Sequence, residues 1–310
     1  MPMSSSFSLR ILSLSILVAA ASTPSYPASA VDQPCASFPP KGAWAGDAGA
    51  EVLFEPERVI LREHGFLRAA SVVQHDGCKL IVRDQGLLAT WTLSGDGHSL
   101  RLDEGKEHLV LSQVPRVPAD LNLSPFRLAA PGVLPVERVK EISQELSERA
   151  KRDQNALKGP ALRAQRPAVL ADNLGYLKKV VREVGWIDIP RFGKPAAAAA
   201  ILIAKHGDDL SLMAAALPMV ERDARENGGS GEMLSVLADE LLITLGRKQR
   251  YGTQIAEDEQ GRPFVLPVED PAKVDEYRKA IGILSWSEYL KLASKNLYNG
   301  APIRLLGPNE

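Results

Sequence analysis

Between residues 51 and 114, short runs of apolar residues alternate with turn-forming residues. This spacing is typical of antiparallel β-structure, and the glycines and aspartates in the intervals favour tight turns that would join the strands in a meander. The runs predict six strands: Arg58–Arg62, Ala69–Gln74, Lys79–Val82, Leu87–Leu93, Ser99–Leu102 and His108–Gln113. Because apolar positions alternate within the runs, one face should be buried, and we expect a small β-sandwich or half-barrel.

After a segment rich in proline, residues 115 to 135, the apolar period becomes helical. The pattern predicts five helices: one starting after Pro135, Asp172–Val184, Pro195–His206, one from Asp208 or Asp209 that Pro218 should kink or split, and Glu232–Leu245. A hairpin follows within residues 249–268, pairing Gln249–Ala256 with Pro263–Val268. Two helices close the chain, one capped by Asp270 and one over Trp286–Leu297 with a capping box of Ser285 and Glu288.

The chain is therefore predicted to be an α+β protein. Its parts are a small antiparallel β domain over residues 31–114, a proline-rich linker over 115–135 and a mainly helical domain with a β-hairpin over 136–310. The helix Pro195–His206 is apolar on all sides over most of its length, which predicts that it is buried in the helical domain.

The first thirty residues have the pattern of a cleavable export signal. Arg10 precedes an apolar run, Ile11–Ala21, that is too short to span a bilayer, and the small residues Ala28-Ser29-Ala30 follow it. We expect a mature chain that starts near Val31 in the periplasm or outside the cell. No later apolar run is long enough to predict a membrane anchor after cleavage.

The two cysteines of the chain, Cys35 and Cys78, lie in the predicted β domain. An even number of cysteines in an exported protein predicts a disulfide between them, and two buried free thiols are the alternative. A single pair without clustered histidines does not predict a zinc site.

Composition excludes several classes of partner. The net charge is −1 and aromatic residues make up 5% of the chain, so neither a nucleic-acid partner nor a large stacking surface is expected. The chain also lacks the glycine patterns of phosphate and dinucleotide sites and the G-x-S-x-G pattern of serine hydrolases. No cofactor is predicted.

His206 is the histidine of the helical domain and precedes Gly207, Asp208 and Asp209. Such a histidine can act as a general base or bind a ligand, because a neighbouring carboxylate orients the imidazole ring. The structural alternative is a cation that interacts with the helix dipole, with Gly207 as a left-handed stop. No second histidine lies nearby in the sequence, so no metal site is predicted.

Three further polar sites stand in structured surroundings. Asp239 lies between leucines in the fifth helix and must be paired or face a cavity, and the pair Asp153-Gln154 ends the first helix. On the first hairpin strand, alternation would put Gly252 and Gln254 on one face and Tyr251 on the other. A glycine beside a glutamine suits the binding of a small polar group, and it suits a tight packing contact with a helix equally well.

From about Leu146 to Leu292 these motifs together resemble a bacterial family, domain of unknown function 6624. The family shows an Asp-Gln pair, a G-W-P turn, an alanine-rich helix ending in Q-H-A-D, an Asp-Arg pair and then Q-x-Y-G-T-Q. The matching residues here are Asp153-Gln154, Gly185-Trp186, His206 with Asp208, Asp239 and Gln249–Gln254. The chain departs from the pattern at Ile187, Lys205, Gly207 and Glu240.

The resemblance implies no activity, but it groups the motif residues into one expected pocket: Asp153, Gln154, His206, Asp208, Asp239, Tyr251 and Gln254. The leading hypothesis is an envelope protein whose β domain contacts a partner and whose helical domain holds a small polar or peptide-like ligand. The competing hypothesis is a hydrolase that uses His206 as general base, oriented by Asp208 or Asp239.

Overall fold

The structure is a computed structural model, and it describes residues 40, 42–46, 50–63, 66–84, 87–95, 98–104, 107–115, 126–156, 160–207, 209–258 and 260–306. The predicted export signal, Cys35 and Asp208 lie outside these residues. The chain forms two compact units. The first comprises Met1–Asn122, Leu242–Lys279 and Leu284–Glu310, and the second comprises Leu123–Leu241 and Ala280–Ile283. The predicted domain over residues 136–310 thus contributes to both units.

The first unit contains a closed antiparallel barrel of eight strands. The strands are β1 (Gly42–Gly46), β2 (Glu51–Phe54), β3 (Arg58–Glu63), β4 (Phe66–Asp76), β5 (Lys79–Asp84), β6 (Leu87–Gly95), β7 (Ser99–Glu104) and β8 (Glu107–Val114). Each strand pairs with the next, and β1 pairs with β8 to close the sheet. The six predicted strands are confirmed as β3 to β8. The expected sandwich or half-barrel is wrong, because the two earlier strands complete the cylinder and leave no open edge.

Apolar side chains fill the interior of the barrel. Thirteen buried residues form its core: Trp44, Val52, Phe54, Val59, Leu61, Ala70, Leu80, Val82, Trp91, Leu93, Leu100, Leu102 and Leu111. They alternate along the strands with more exposed residues, as the period of a strand requires. An eight-stranded barrel has an interior just wide enough for side chains, so the centre of this one is a packed core.

The C-terminal segments of the first unit add a small sheet and two helices. The strands are β9 (Ile255–Glu257), β10 (Pro263–Val265) and β11 (Arg304–Leu305), and the helices are α6 (Val274–Ala280) and α7 (Trp286–Leu297). The capping box of Ser285 and Glu288 is confirmed at the start of α7. Leu87 of β6 packs with Phe264 and Leu266, so the barrel and the small sheet share an apolar cluster.

The second unit is built from five helices: α1 (Val136–Asn155), α2 (Pro160–Val184), α3 (Ile189–His206), α4 (Leu210–Glu226) and α5 (Gly231–Thr244), of which the last three residues belong to the first unit. Its centre contains Ile142, Leu146, Leu177, Ile187 and Leu212, all fully buried. Within the described residues, no helix combines the length and the apolar character needed to cross a membrane.

Three helices differ from the prediction. α2 begins at Pro160, well before the predicted start. α3 includes a turn before Gly193, whose φ of 79° interrupts the helix, and Asp188 caps this turn. Pro218 does not split α4, because Met213, Ala216 and Val220 around it are buried and their packing outweighs one lost hydrogen bond.

Residues 126–135 of the predicted linker belong to the second unit and contact its helices. The backbone N–H of Phe126 donates to Ser211 at 3.0 Å, and that of Ala129 donates to Val181 at 3.0 Å. The guanidinium of Arg182 stacks on the ring of Phe126, 4.6 Å from its centroid. These contacts explain why the second unit begins upstream of α1.

Candidate functional site

The C-terminal ends of α1 and α3 meet at two of the predicted site residues. Nδ1 of His206 contacts Oδ2 of Asp153, and the two side chains are 11% and 1% exposed. α1 ends at Asn155, and α3 ends at His206, two residues after its last apolar residue, Ala204. Among the described residues, the carboxylate in contact with His206 is that of Asp153. Asp208 lies outside these residues, so an orienting role of Asp208 or Asp239 stays a prediction.

Two more side chains surround the Asp153 carboxylate. Nε2 of Gln154 lies 3.4 Å from Oδ2, and Nε of Arg166 on α2 lies 3.7 Å from Oδ1. The second distance is too long for a hydrogen bond, and both of its atoms are buried without a hydrogen-bond partner. We call Asp153, Gln154, Arg166 and His206 the His206 cluster. The sequence gives no signal for Arg166, because the helical pattern on which it lies was recognised only from residue 172.

The neighbours of the cluster are ion-paired. Nζ of Lys205 lies 2.8 Å from a carboxylate oxygen of Glu240 on α5. One turn before Asp153, Arg149 pairs with Asp172 at 2.7 Å and so joins α1 to α2. Asp239 is fully buried and has a polar or electrostatic interaction of its own.

Gly207 is not the left-handed stop that we expected. Its φ is −82°, which any residue can adopt. A Cβ at this position would lie 2.9 Å from Cδ1 of Leu174, so the small residue allows α2 to approach the end of α3 closely. Asp209, two residues later, caps α4 by accepting a hydrogen bond from the N–H of Leu212 at 2.9 Å.

The residues Gln249–Gln254, which we call the motif loop, form a hydrogen-bonded loop in the first unit. Oε1 of the buried Gln249 accepts from the N–H of Gln254 at 2.8 Å. Its Nε2 donates to the carbonyl oxygens of Gln254 at 3.0 Å and Leu266 at 2.6 Å. One side chain thus satisfies three backbone groups, as a strand partner would.

Side chains of α6 and α7 satisfy the next carbonyls of the motif loop. Arg278 donates to Tyr251 at 2.7 Å, Trp286 to Gly252 at 3.1 Å and Tyr289 to Thr253 at 2.8 Å. Gly252 has a φ of +69°, and a Cβ there would lie 2.3 Å from Nε1 of Trp286. The structure therefore favours the tight packing contact over an exposed backbone for this glycine.

The predicted first strand of the hairpin is wrong over residues 249–254, because β9 begins only at Ile255. The alternation argument for Gly252 and Gln254 fails with it. Tyr251 and Gln254 are 6% and 1% exposed. They belong to the first unit and the His206 cluster to the second, so a site that contains both His206 and Gln254 stays a prediction.

Among the described residues, no group of three or more His, Cys, Asp or Glu side chains is arranged to hold a metal ion. Because Cys35 lies outside the described residues, its pairing with Cys78 stays a prediction.

Comparison with known proteins assigns the helical part of the chain. A family of unknown function, DUF6624, matches residues 136–299, which is more than half of the sequence. The chain belongs to the DUF6624 family. The match confirms the resemblance predicted from the motifs, and it extends from α1 to the end of α7. No curated protein and no solved structure matches the chain.

Two departures from the family motifs given above lie in contact in this chain. Where the motifs have glutamine and arginine, the chain has Lys205 and Glu240, and these two side chains form the ion pair beside the His206 cluster.

Proposed function

We propose that this protein is exported and binds a small polar or peptide-like ligand at the His206 cluster. The observation that carries the proposal is the contact between Nδ1 of His206 and the buried Asp153 carboxylate. This contact orients the imidazole ring and directs its other nitrogen away from the carboxylate. Within the described residues, Nε2 has no hydrogen-bond partner, so it is available to a ligand.

A purely structural ion pair explains the cluster less well. The carboxylate of Asp153 is 1% exposed and stands at the C-terminal end of α1, where the helix dipole is unfavourable to a negative charge. Burying a charge in such a position costs free energy that a pair of apolar residues would not cost. Departures of this kind from local stability rules are typical of functional sites.

Acid–base catalysis in a hydrolase is the second candidate, and the same contact favours it. His206 would act as general base through Nε2, with Asp153 holding the ring in the role that we predicted for Asp208 or Asp239. Among the described residues, no serine, threonine or cysteine donates a hydrogen bond to Nε2. Binding without covalent chemistry is therefore the first proposal.

The cellular setting is part of the proposal. The pattern of residues 1–30 supports export, and the pair Cys35 and Cys78 supports an oxidising compartment, the periplasm or the cell exterior. The barrel is proposed to contact an envelope partner. Intact-mass measurement after alkylation without reductant tests the disulfide, and two alkyl groups on the folded protein would contradict it.

A thermal-shift screen of small polar molecules and short peptides tests the binding proposal. A ligand present at a hundred times its Kd should stabilise the protein by about 2.7 kcal/mol. The stabilisation should disappear in His206→Asn and persist in the matched control His108→Asn, which changes an exposed histidine of the barrel. A ligand that stabilises His206→Asn as strongly as the wild type would contradict the proposed site.

A further inference from the structure

Arg166 is the least engaged charged side chain of the His206 cluster. Within the described part of the chain, its interaction is the loose ion pair of Nε with Oδ1 of Asp153 at 3.7 Å. The guanidinium makes no hydrogen bond there, although its Nε is buried. The side chain is 31% exposed, so its terminal nitrogens can be reached from solvent.

The groups that remain available at the cluster are mostly hydrogen-bond donors. Oδ2 of the Asp153 carboxylate contacts His206 and Gln154, and the buried Oδ1 faces Arg166 at 3.7 Å. What remains is the guanidinium of Arg166, with donors arranged as a planar fork, and Nε2 of His206, which donates when the ring carries two protons. When the ring carries two protons, a ligand that satisfies both groups must supply acceptor oxygens.

We propose that the ligand carries an oxyanion, a carboxylate or a phosphate, which binds between Arg166 and Nε2 of His206. This inference rests on the proposed binding function and specifies its ligand. A guanidinium binds a carboxylate or phosphate through two parallel N–H···O bonds, and charge-assisted bonds of this kind are the strong ones. The nearby pair of Lys205 and Glu240 is neutral as a whole and does not oppose the anion.

NMR of the purified full-length protein, labelled at histidine, tests the inference. The measurement follows the ring signals of the histidines while a probe is added. The probes are N-acetylglycine, methyl phosphate and the neutral N-acetylglycinamide, and His206→Gln assigns the signal of His206. We expect the His206 signal to shift saturably with at least one of the two anions and not with the amide. A response to N-acetylglycine alone identifies a carboxylate ligand, and a response to methyl phosphate alone identifies a phosphate ligand.

Arg166→Gln should weaken the binding of the anion by about tenfold or more, because it removes a charge-assisted hydrogen bond. Arg152→Gln is the matched control, since this arginine of α1 is 52% exposed and pairs with Glu145. Its affinity should stay within a factor of about two of the wild type, as expected for a surface ion pair.

Two results would overturn the inference and leave the binding proposal standing. One is an equal response of His206 to the amide and to the acid, and the other is an unchanged affinity in Arg166→Gln. If neither anion shifts the His206 signal, the oxyanion inference is also wrong, and the screen of neutral ligands then decides separately whether the cluster binds anything.

Discussion

The motif loop and the His206 cluster both carry DUF6624 motifs, yet their polar groups are used differently. In the loop, Gln249, Arg278 and Trp286 donate to backbone carbonyls, so the side chains hold the chain in one conformation. In the cluster, Asp153 and His206 contact each other, and no other described residue engages the second imidazole nitrogen. The first arrangement stabilises the loop, and the second is the basis of the binding proposal.

The difference shows why a polar motif alone does not identify a site. Gln249 and His206 are both polar, both in motifs and both largely removed from solvent. Gln249 replaces a strand partner for three backbone groups, whereas His206 has a second ring nitrogen that no described residue engages. Mutations should therefore affect stability in the loop and ligand binding in the cluster.

Gly252→Ala should cause the largest loss of stability. The new Cβ would lie 2.3 Å from Nε1 of Trp286, and alanine disfavours the backbone φ of +69° at this position. We expect the free energy of unfolding to fall by about 3 kcal/mol in chemical denaturation. Gly261→Ala is the matched control, because its φ is +72° and no atom lies within 4 Å of the new Cβ. That variant should lose about 1 kcal/mol, and equal losses in both would show that the contact with Trp286 is unimportant.

Two double-mutant cycles measure the energetic coupling between side chains, the first within the His206 cluster and the second between the cluster and the motif loop. A double-mutant cycle of Asp153→Asn and His206→Gln should give a coupling energy of about 1 to 2 kcal/mol in the free energy of unfolding, since the two side chains are in contact.

A cycle of His206→Ala and Gln254→Ala tests the predicted shared site, with an expected coupling of about 0.5 kcal/mol or more in stability or binding. Additivity in the second cycle would separate the two regions, and additivity in the first would remove the basis of the proposed site.

The sequence predicts much of the fold because period and turn residues carry that information. Six strands and the capping box of α7 follow from these local signals. β1 and β2 do not. β1 is Gly-Ala-Trp-Ala-Gly, and it forms a strand through its pairing with β2 and β8. Closure of the barrel depends on this long-range pairing, which no local pattern specifies.

The sequence predicted three residues of the His206 cluster but not their contacts, and it gave no signal for Arg166. Asp153, Gln154 and His206 were grouped through the family motifs, and the structure brings them together. Asp153 was not expected as the carboxylate in contact with His206, because it is 53 residues away in the sequence and near it only in space. Asp208, which is near His206 in the sequence, lies outside the described residues. Gly252 was interpreted through strand alternation, which fails when side chains instead of a neighbouring strand satisfy the backbone.

The ion pair beside the cluster should contribute a smaller amount. Glu240→Arg would put two cations in contact with each other, and we expect a loss of about 1 kcal/mol in the free energy of unfolding. Adding Lys205→Gln gives the residues of the family pattern and should recover most of the loss. In both variants, the ligand affinity of the His206 cluster should change less than it does in His206→Asn. A double variant that is as unstable as Glu240→Arg alone would contradict the compensation between the two positions.

The smallest effect concerns the start of α7, which presents Trp286 and Tyr289 to the motif loop. The hydroxyl of Ser285 donates a hydrogen bond to the carboxylate of Glu288. The backbone N–H of Ser285 donates to the same carboxylate at 3.1 Å. These two bonds lower the pKa of Glu288. Because the pKa is lower in the folded protein than in the unfolded chain, this stabilisation is present above the unfolded pKa, about 4.5, and is lost as the pH falls through the folded value.

Glu288→Gln should therefore be less stable than the wild type at pH 7, and the difference should shrink as the pH falls below about 4.5, where the wild-type carboxyl becomes protonated. Denaturation at several pH values, followed by tryptophan fluorescence, measures this difference. Glu276→Gln in α6 is the control and should show no such pH-dependent difference from the wild type. If the loss in Glu288→Gln were the same at pH 7 and pH 3, the ionised carboxylate would not be the source of the stabilisation.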